Sequence, residues 1–399
     1  MLPLLLCLGV LIIAGGSVVA AAGSGSLAWS QEQQSNTSII AVENSSNYLS
    51  PPVENVTQQT YKTATLDVSG AVQGDALRLQ GAQEVRRLGN KLATTDDAEG
   101  DAMEILQRLK QNARTLEQQK RQLYREYGTG EMKTEQLFRE IVRLGVTADQ
   151  YVRLAETVKS GTPALDRVSS QYSSLMGEFA LLPSPIVSHL ESGFTTGGQT
   201  PLYVQGGNES LVLATVQGDT FLRQATLPEQ RKYEIPLQFG DGERSEADDA
   251  FARAQALYPW AVSDAAQSEV RGFGDTAVYR LQASHTHGEL QTYVDGGTTN
   301  PFYELQEKNP FSVPVTDFTQ TTENGLRLDV QLTNPTGPMR VEIIETADLD
   351  AQNITLSIDD EELTTLSSGE DFYTIQPLGP FEITAQTDAG DQVSVLVFP

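Results

Sequence analysis

Three histidines occur in the 399 residues, and two stand in the run His285-Thr286-His287-Gly288-Glu289, with Asp295 a few residues on. Residues two apart on an extended strand share a face, so two imidazoles and a carboxylate at this spacing have the makings of a zinc site with an open fourth position. A metal held there would activate water, the chemistry of a metal-dependent hydrolase using His285, His287 and Glu289. Gly288 argues the other way. A glycine turn at that point breaks the shared face, and a polar hairpin tip is the plainer meaning of the run.

The remaining candidates are weaker. His189 follows Pro183-Ser184-Pro185 and an apolar pair, and suits a connector better than a general base. Asp241, Glu243, Glu246, Asp248 and Asp249 could attract Ca²⁺, but their spacing fits no loop whose ligands alternate around one ion, so a solvated acidic loop is favoured. Tyr258 and Trp260, beside Pro259, could stack on a sugar, yet aromatics that close a helix onto a sheet usually belong to the core. The sequence contains no Gly-x-Ser-x-Gly elbow, no Gly-rich loop ending in Lys-Ser/Thr, no His-Glu-x-x-His and no EF-hand loop. The single cysteine, Cys7, lies in an N-terminal apolar run, which removes cysteine nucleophiles, thiolate metal sites and intramolecular disulfides from the rest of the chain. No cofactor is expected.

Net charge bounds the partners. With 53 acidic against 27 basic side chains, the formal charge is −26, opposite to the basic footprint that nucleic acid requires. The acidic groups are spread through the soluble regions, and such a surface repels itself in dilute buffer. Molar salt shortens the Debye length to about 3 Å and screens that repulsion, so the composition points to a hypersaline setting.

The N-terminus sets the compartment. Met1 to Gly23 carries no ionised side chain, its run Leu2 to Ala14 has signal-peptide length, and small residues follow at Ala20-Ala21-Ala22 and Ser26-Leu27-Ala28. The expectation for residues 1–28 is a signal peptide, with a retained N-terminal anchor as the alternative and the only route to a membrane. Five Asn-x-Ser/Thr triplets begin at Asn36, Asn44, Asn55, Asn208 and Asn353, the acceptor pattern of an exported glycoprotein.

The elements that must position these residues follow one another along the chain. Residues 29–65, rich in Ser, Asn, Gln and Thr, read as a disordered linker. Residues 66–182 read as helical. An apolar 3-4 spacing runs through Leu88, Leu92, Ala102, Leu106, Leu109, Ala113, Leu116, Leu123 and Tyr127, with Lys120 the polar intruder. Thr94-Thr95-Asp96-Asp97 marks a break, Gly128-Thr129-Gly130 a stop, and Thr147-Ala148-Asp149-Gln150 and Thr162-Pro163 further helix starts. The expectation is a helical hairpin with a coiled-coil-like seam that packs on itself, with a homo-oligomer as the alternative.

Past Pro183 and Pro185 the period becomes strand-like. Ser210 to Val216 and Thr220 to Thr226 form a hairpin signal; Ser245-Glu246-Ala247-Asp248 caps a short helix; Ala277 to Ala283, Glu289 to Val294 and Phe302 to Leu305 follow as a meander. Here the order of amphipathic helix, Val278-Tyr279-Arg280-Leu281-Gln282, His287-Gly288-Glu289-Leu290, then Tyr293-Val294-Asp295 with Thr298 and Phe302, resembles a PepSY-type domain. The match covers residues 245–307, with Thr299-Asn300-Pro301 where the family has a glycine. The wider layout is similar to an uncharacterised exported family of halophilic archaea. The resemblance implies a helix packed on an antiparallel sheet in a regulatory or binding module, and it assigns no catalytic residue. Six or seven short runs between Pro310 and Pro399 suggest an immunoglobulin-like β-sandwich ending in its final strand.

The expected fold class is therefore multidomain α+β: a helical hairpin or coiled-coil region (66–182), a central PepSY-like helix-on-antiparallel-sheet domain (195–309) and a C-terminal immunoglobulin-like β-sandwich (310–399). The expected function is that of an exported, salt-adapted cell-envelope protein with a non-enzymatic binding, structural or regulatory role. Its partner would be an envelope protein or a glycan.

Overall fold

The computed structural model describes residues 39–40, 48–64, 68–162, 165–179, 182, 185–186, 188, 200–240, 242, 244–262, 267–347 and 353–399. The leader reading of 1–28 and the residues Asn36, Asn44, His189, Asp241 and Glu243 lie outside them.

The chain enters through a short antiparallel pair, β1 (Ile39–Ile40) and β2 (Tyr48–Leu49), and continues into β3 (Gln58–Ala64). Four helices follow: α1 (Val68–Thr94), α2 (Ala98–Gly128), α3 (Thr134–Gly161) and α4 (Asp166–Phe179). Strands β4 (Thr200–Gly207), β5 (Ser210–Gln217) and β6 (Thr220–Thr226) lead to helices α5 (Glu246–Leu257) and α6 (Pro259–Val262). Strands β7 (Gln267–Gly272), β8 (Val278–His285), β9 (Gly288–Asp295) and β10 (Pro301–Lys308) complete the central part.

These strands make one antiparallel sheet of eight, in the order β3-β4-β5-β6-β10-β9-β8-β7. Two four-stranded meanders meet last strand to last strand, with β6 paired to β10. The disordered-linker reading of 29–65 is corrected for its last part, because β3 pairs with β4 along seven residues and Tyr48, Leu49 and Ser50 are buried. Polar composition misled there. A Thr- and Gln-rich edge strand needs little apolar surface of its own when its neighbour supplies the ladder. The central meander also gains β7, whose exposed side chains lack the alternation that marks a half-buried strand.

The sheet is covered on both faces. Registers align Tyr203, Ala214, Arg223, Gln306, Leu290 and Ala283 in one cross-strand row. On that face Leu281 and Leu290 pack under Ala254, Leu257, Tyr258 and Ala261 of α5 and α6, while Tyr203, Ala214, Val216 and Phe221 pack against the C-terminal sandwich. The reverse face presents Leu202, Val204, Leu211 and Leu213 to the helical layer.

In that layer the predicted seam residues are buried, including Leu106, Leu109, Ala113, Leu116 and Leu123. The break at 94–97 is real: Asp97 caps α2 by accepting from the Gly100 N–H at 2.8 Å. The simple hairpin is corrected. Gly81 lies against Gln150, Gly89 against Thr157 and Leu92 against Gly161, so α1 runs parallel to α3, and these glycines let the two backbones approach. Thr147 opens no new helix; α3 continues through it, with its hydroxyl donating to the Arg143 carbonyl at 2.8 Å. The buried residues Leu144, Val146 and Ala148 carry the stripe across that point, and packing outweighs a local capping motif.

The C-terminal part is a pair of four-stranded antiparallel sheets. One is β11 (Asp317–Glu323), β12 (Leu326–Leu332), β13 (Pro338–Glu345) and β16 (Asp371–Ile375); the other is β15 (Glu361–Leu366), β14 (Ile354–Ile358), β17 (Phe381–Thr387) and β18 (Gln392–Val397). Leu328, Val330, Val341, Leu356, Ile383 and Val393 fill the space between them. Strands β11 and β15 are additions to the sequence reading, and both are largely exposed edges. Among the described residues, no helix is long and apolar enough to cross a membrane.

Candidate functional site: a buried polar junction

The histidine run forms a hairpin tip. His285 ends β8 opposite Gly288, and Glu289 sits opposite Ser284, so strand alternation sends Glu289 to the face away from His285. Glu289 is exposed, whereas the His285 ring packs edge-on against Trp260 with centroids 4.6 Å apart. A backbone-to-side-chain bond closes the tip, with the His287 N–H donating to His285 Nδ1 at 3.2 Å. Burial, then the nearby positive charges of Lys308 and His287, brings the His285 imidazolium pKa down to about 4. Asp295 is spent on the next turn, where its Oδ2 accepts from the Thr298 N–H at 2.8 Å. The sequence-based metal set His285, His287 and Glu289 is therefore not brought together, and the hydrolase reading loses the geometry it needed. Among the described residues, no group of three or more His, Cys, Asp or Glu side chains is arranged to hold a metal ion.

The acidic loop is likewise built into local structure. Ser245 caps α5, its hydroxyl accepting from the Asp248 N–H at 3.2 Å and donating to the Asp248 carboxylate at 2.7 Å; Asp249 accepts from the Gly240 N–H at 2.7 Å, and Glu246 accepts from the Tyr279 hydroxyl at 2.5 Å.

What the fold does assemble is a cluster of buried charge where β6 meets β10. Arg223 and Glu304 are fully buried and paired at 3.1 Å. The guanidinium spends its other donors on three partners: Nε on Thr336 Oγ1 at 2.9 Å, and Nη2 on the Leu49 carbonyl at 2.9 Å and Ser50 Oγ at 2.8 Å. The second Glu304 oxygen accepts from the Leu49 N–H and the Tyr258 hydroxyl, each at 2.8 Å. Tyr48 lies close to two cations, and its hydroxyl accepts from Lys308 Nζ at 3.3 Å. Its ring centroid lies 4.7 Å from the Arg223 guanidinium carbon and 4.6 Å from Lys308 Nζ.

Burial dominates the electrostatics of this cluster. It raises the Glu304 carboxyl pKa against the pull of Arg223, and lowers those of Arg223 and Lys308 against the pull of Glu304. With each charged group held by partners, short polar contacts offset part of the desolvation penalty. The arrangement is a clamp: one guanidinium joins the entering segment Leu49–Ser50, the central sheet and the Thr336 turn of the sandwich.

Sequence reasoning missed this junction, although a signal was present. Thr220 to Thr226 and Phe302 to Leu305 carry apolar residues on both alternating sets, the mark of a strand buried on both faces. A charged residue inside such a strand requires an internal partner.

Three sequons fall among the described residues. Asn208 is exposed at the tip of the β4–β5 hairpin in the left-handed region (φ 52°), with the buried Ser210 hydroxyl turned to the Gly207 carbonyl at 2.6 Å. Asn353 is exposed and donates to Asp388 at 3.1 Å. Asn55 is half-buried, and the hydroxyl of its Thr57 donates to the Gly128 carbonyl.

Residues 317–395 match the archaeal fibronectin-III type-like domain. The C-terminal sandwich is thus fibronectin-III-like. Residues 1–181 match a domain of unknown function (DUF7096), and residues 202–314 a family of unknown function (DUF7094). No curated protein and no solved structure matches the chain significantly. The matched segments do not coincide with structural units: β3, from the first segment, is an edge strand of the sheet built by the second. The clamp involves all three, through Leu49 and Ser50, Arg223 and Glu304, and Thr336.

Proposed function

We propose that this is an exported, salt-adapted envelope protein whose role is non-enzymatic: a rigid body that presents binding surfaces outside the cell. The observation that carries this reading is the clamp, which fastens the segment arriving from the N-terminus to the sheet and to the fibronectin-III-like domain at once. A body held in this way suits a protein tethered or delivered through its N-terminus, where the apolar leader lies. The helix-on-sheet layout of α5, α6 and β7–β10 supports a PepSY-like regulatory or binding role for the centre. The exposed sequons at Asn208 and Asn353 support export, and the charge of −26 supports a saline environment.

Fractionation of native cells with mass spectrometry tests this. The protein should be found in the envelope or the medium, either cleaved between Ala21 and Ser30 or membrane-retained with an intact leader, and with glycan on Asn208 or Asn353. Its denaturation midpoint should rise as NaCl increases from about 0.1 M into the molar range, because screening relieves self-repulsion. Soluble cytoplasmic protein retaining Met1, or a midpoint that falls with salt, would defeat the reading.

A further inference from the structure

Helices α1 and α3, parallel and in contact, together line a cleft of about 390 Å³. Its charge is opposite in sign to that of the chain. Arg78 and Arg86 from α1 and Arg153 from α3 line it, against one carboxylate, Asp149, which lies within the fields of Arg153 and Arg78. Neighbouring arginines on the same helices are already committed: Arg87 pairs with Glu84 at 2.6 Å and Arg143 with Glu140 at 2.8 Å. Among the described residues, Arg86 and Arg153 form no such ion pair.

A second observation is independent of charge. Gln150 lines the same cleft with its amide Nε2 buried and without an acceptor. The side chain lies directly on Gly81, where an added Cβ would stand 2.6 Å from Gln150 Cγ, so the glycine makes the space that the amide occupies. Val85 and the buried Val146 give the cleft an apolar wall. A buried donor without a partner costs free energy comparable to a lost hydrogen bond, which a ligand acceptor would recover.

We propose that this cleft binds an acidic sugar. The guanidiniums that line the cleft match a carboxylate or sulfate group, the Asp149 carboxylate and Gln150 amide supply an acceptor and a donor for ring hydroxyls, and the two valines suit the apolar face of a pyranose. The inference rests on the envelope reading above, since it names the glycan class that such a protein would meet.

Calorimetric titration of the full-length protein with a glucuronate-containing disaccharide, its neutral counterpart and inorganic sulfate tests it. Saturable binding of the acidic disaccharide is expected, weakened at least about tenfold by Arg86→Gln or Arg153→Gln and unchanged by Arg143→Gln on the same helix as Arg153. Arg86 and Arg153 are exposed, so their replacement should leave the melting temperature near that of the parent. Equal affinity for the neutral sugar or for sulfate, an equal loss with Arg143→Gln, or no saturation would overturn the proposal. Locating the parent protein in cells separates the two readings: envelope protein that fails to bind the acidic disaccharide defeats the cleft alone, whereas cytoplasmic protein defeats the envelope role.

Discussion

Leu109 and Leu116 in the α2 seam and Arg223 and Glu304 in the sheet are all buried, yet they are held by different physics. The leucines sit among other hydrocarbon, where each lost contact is small and the total follows the volume removed. The charged pair sits where both partners have given up water, so what matters is whether each polar atom still has somewhere to donate or accept. The seam should therefore fail gradually and additively, and the junction abruptly and cooperatively.

The sharpest test of that contrast is a double-mutant cycle at the junction. Either Arg223→Met or Glu304→Leu alone leaves an uncompensated buried charge and should destabilise the protein by about 3–5 kcal/mol in denaturant unfolding. The double variant should lose less than the sum of the singles, by about 1–3 kcal/mol. Strict additivity would mean the pair is not a unit, and the clamp would reduce to independent contacts.

In the seam, Leu109→Ala or Leu116→Ala should cost about 2–5 kcal/mol, while Gln111→Ala and Gln118→Ala, on the exposed side, should stay within about 0.5 kcal/mol. The residues covering α2 come from α3, α4, β4 and β5 of the same chain, so the loss should not depend on protein concentration. A melting temperature that falls on dilution would show that a second chain shares the seam.

Lys120 combines the two regimes, being a cation buried in the apolar stripe near the Tyr124 ring at 5.7 Å. Burial lowers its pKa from 10.5 to about 8, with Glu117 opposing. Because the folded pKa lies below the unfolded one, the unfolded chain binds more protons between those values, and stability contributed by this group should rise from pH 8 to pH 10.5. Lys120→Met should stabilise the protein by about 1–3 kcal/mol at pH 7, with the advantage fading across that window. A Lys120→Met variant less stable than the parent at pH 7 would show that the ammonium is paired well enough to offset its burial.

The same contrast explains what could be read in advance. The seam, the break at Asp97, the stop at Gly128, the β5–β6 hairpin, the Ser245 cap and the run of sandwich strands all follow from local rules acting within a few residues. The parallel packing of α1 on α3, the edge strands β3, β7, β11 and β15, and the joining of two meanders at β6 and β10 were not legible. Each depends on a partner distant in sequence, and edge strands carry weak alternation because half their surroundings are solvent.

The amino-acid sequence by itself determined the acidic surface, the helix and strand periods, the turns and the limits on cysteine and nucleic-acid chemistry. Those properties are set by composition and by repeats no longer than the elements themselves. Only the tertiary structure decided that His285 and Glu289 point to opposite faces, that Asp149 and three arginines line one cleft, and that Leu49, Arg223, Glu304 and Thr336 meet. Contacts spanning 255 residues, as between Leu49 and Glu304, are fixed by which faces the whole chain must bury together, and no local pattern carries that information.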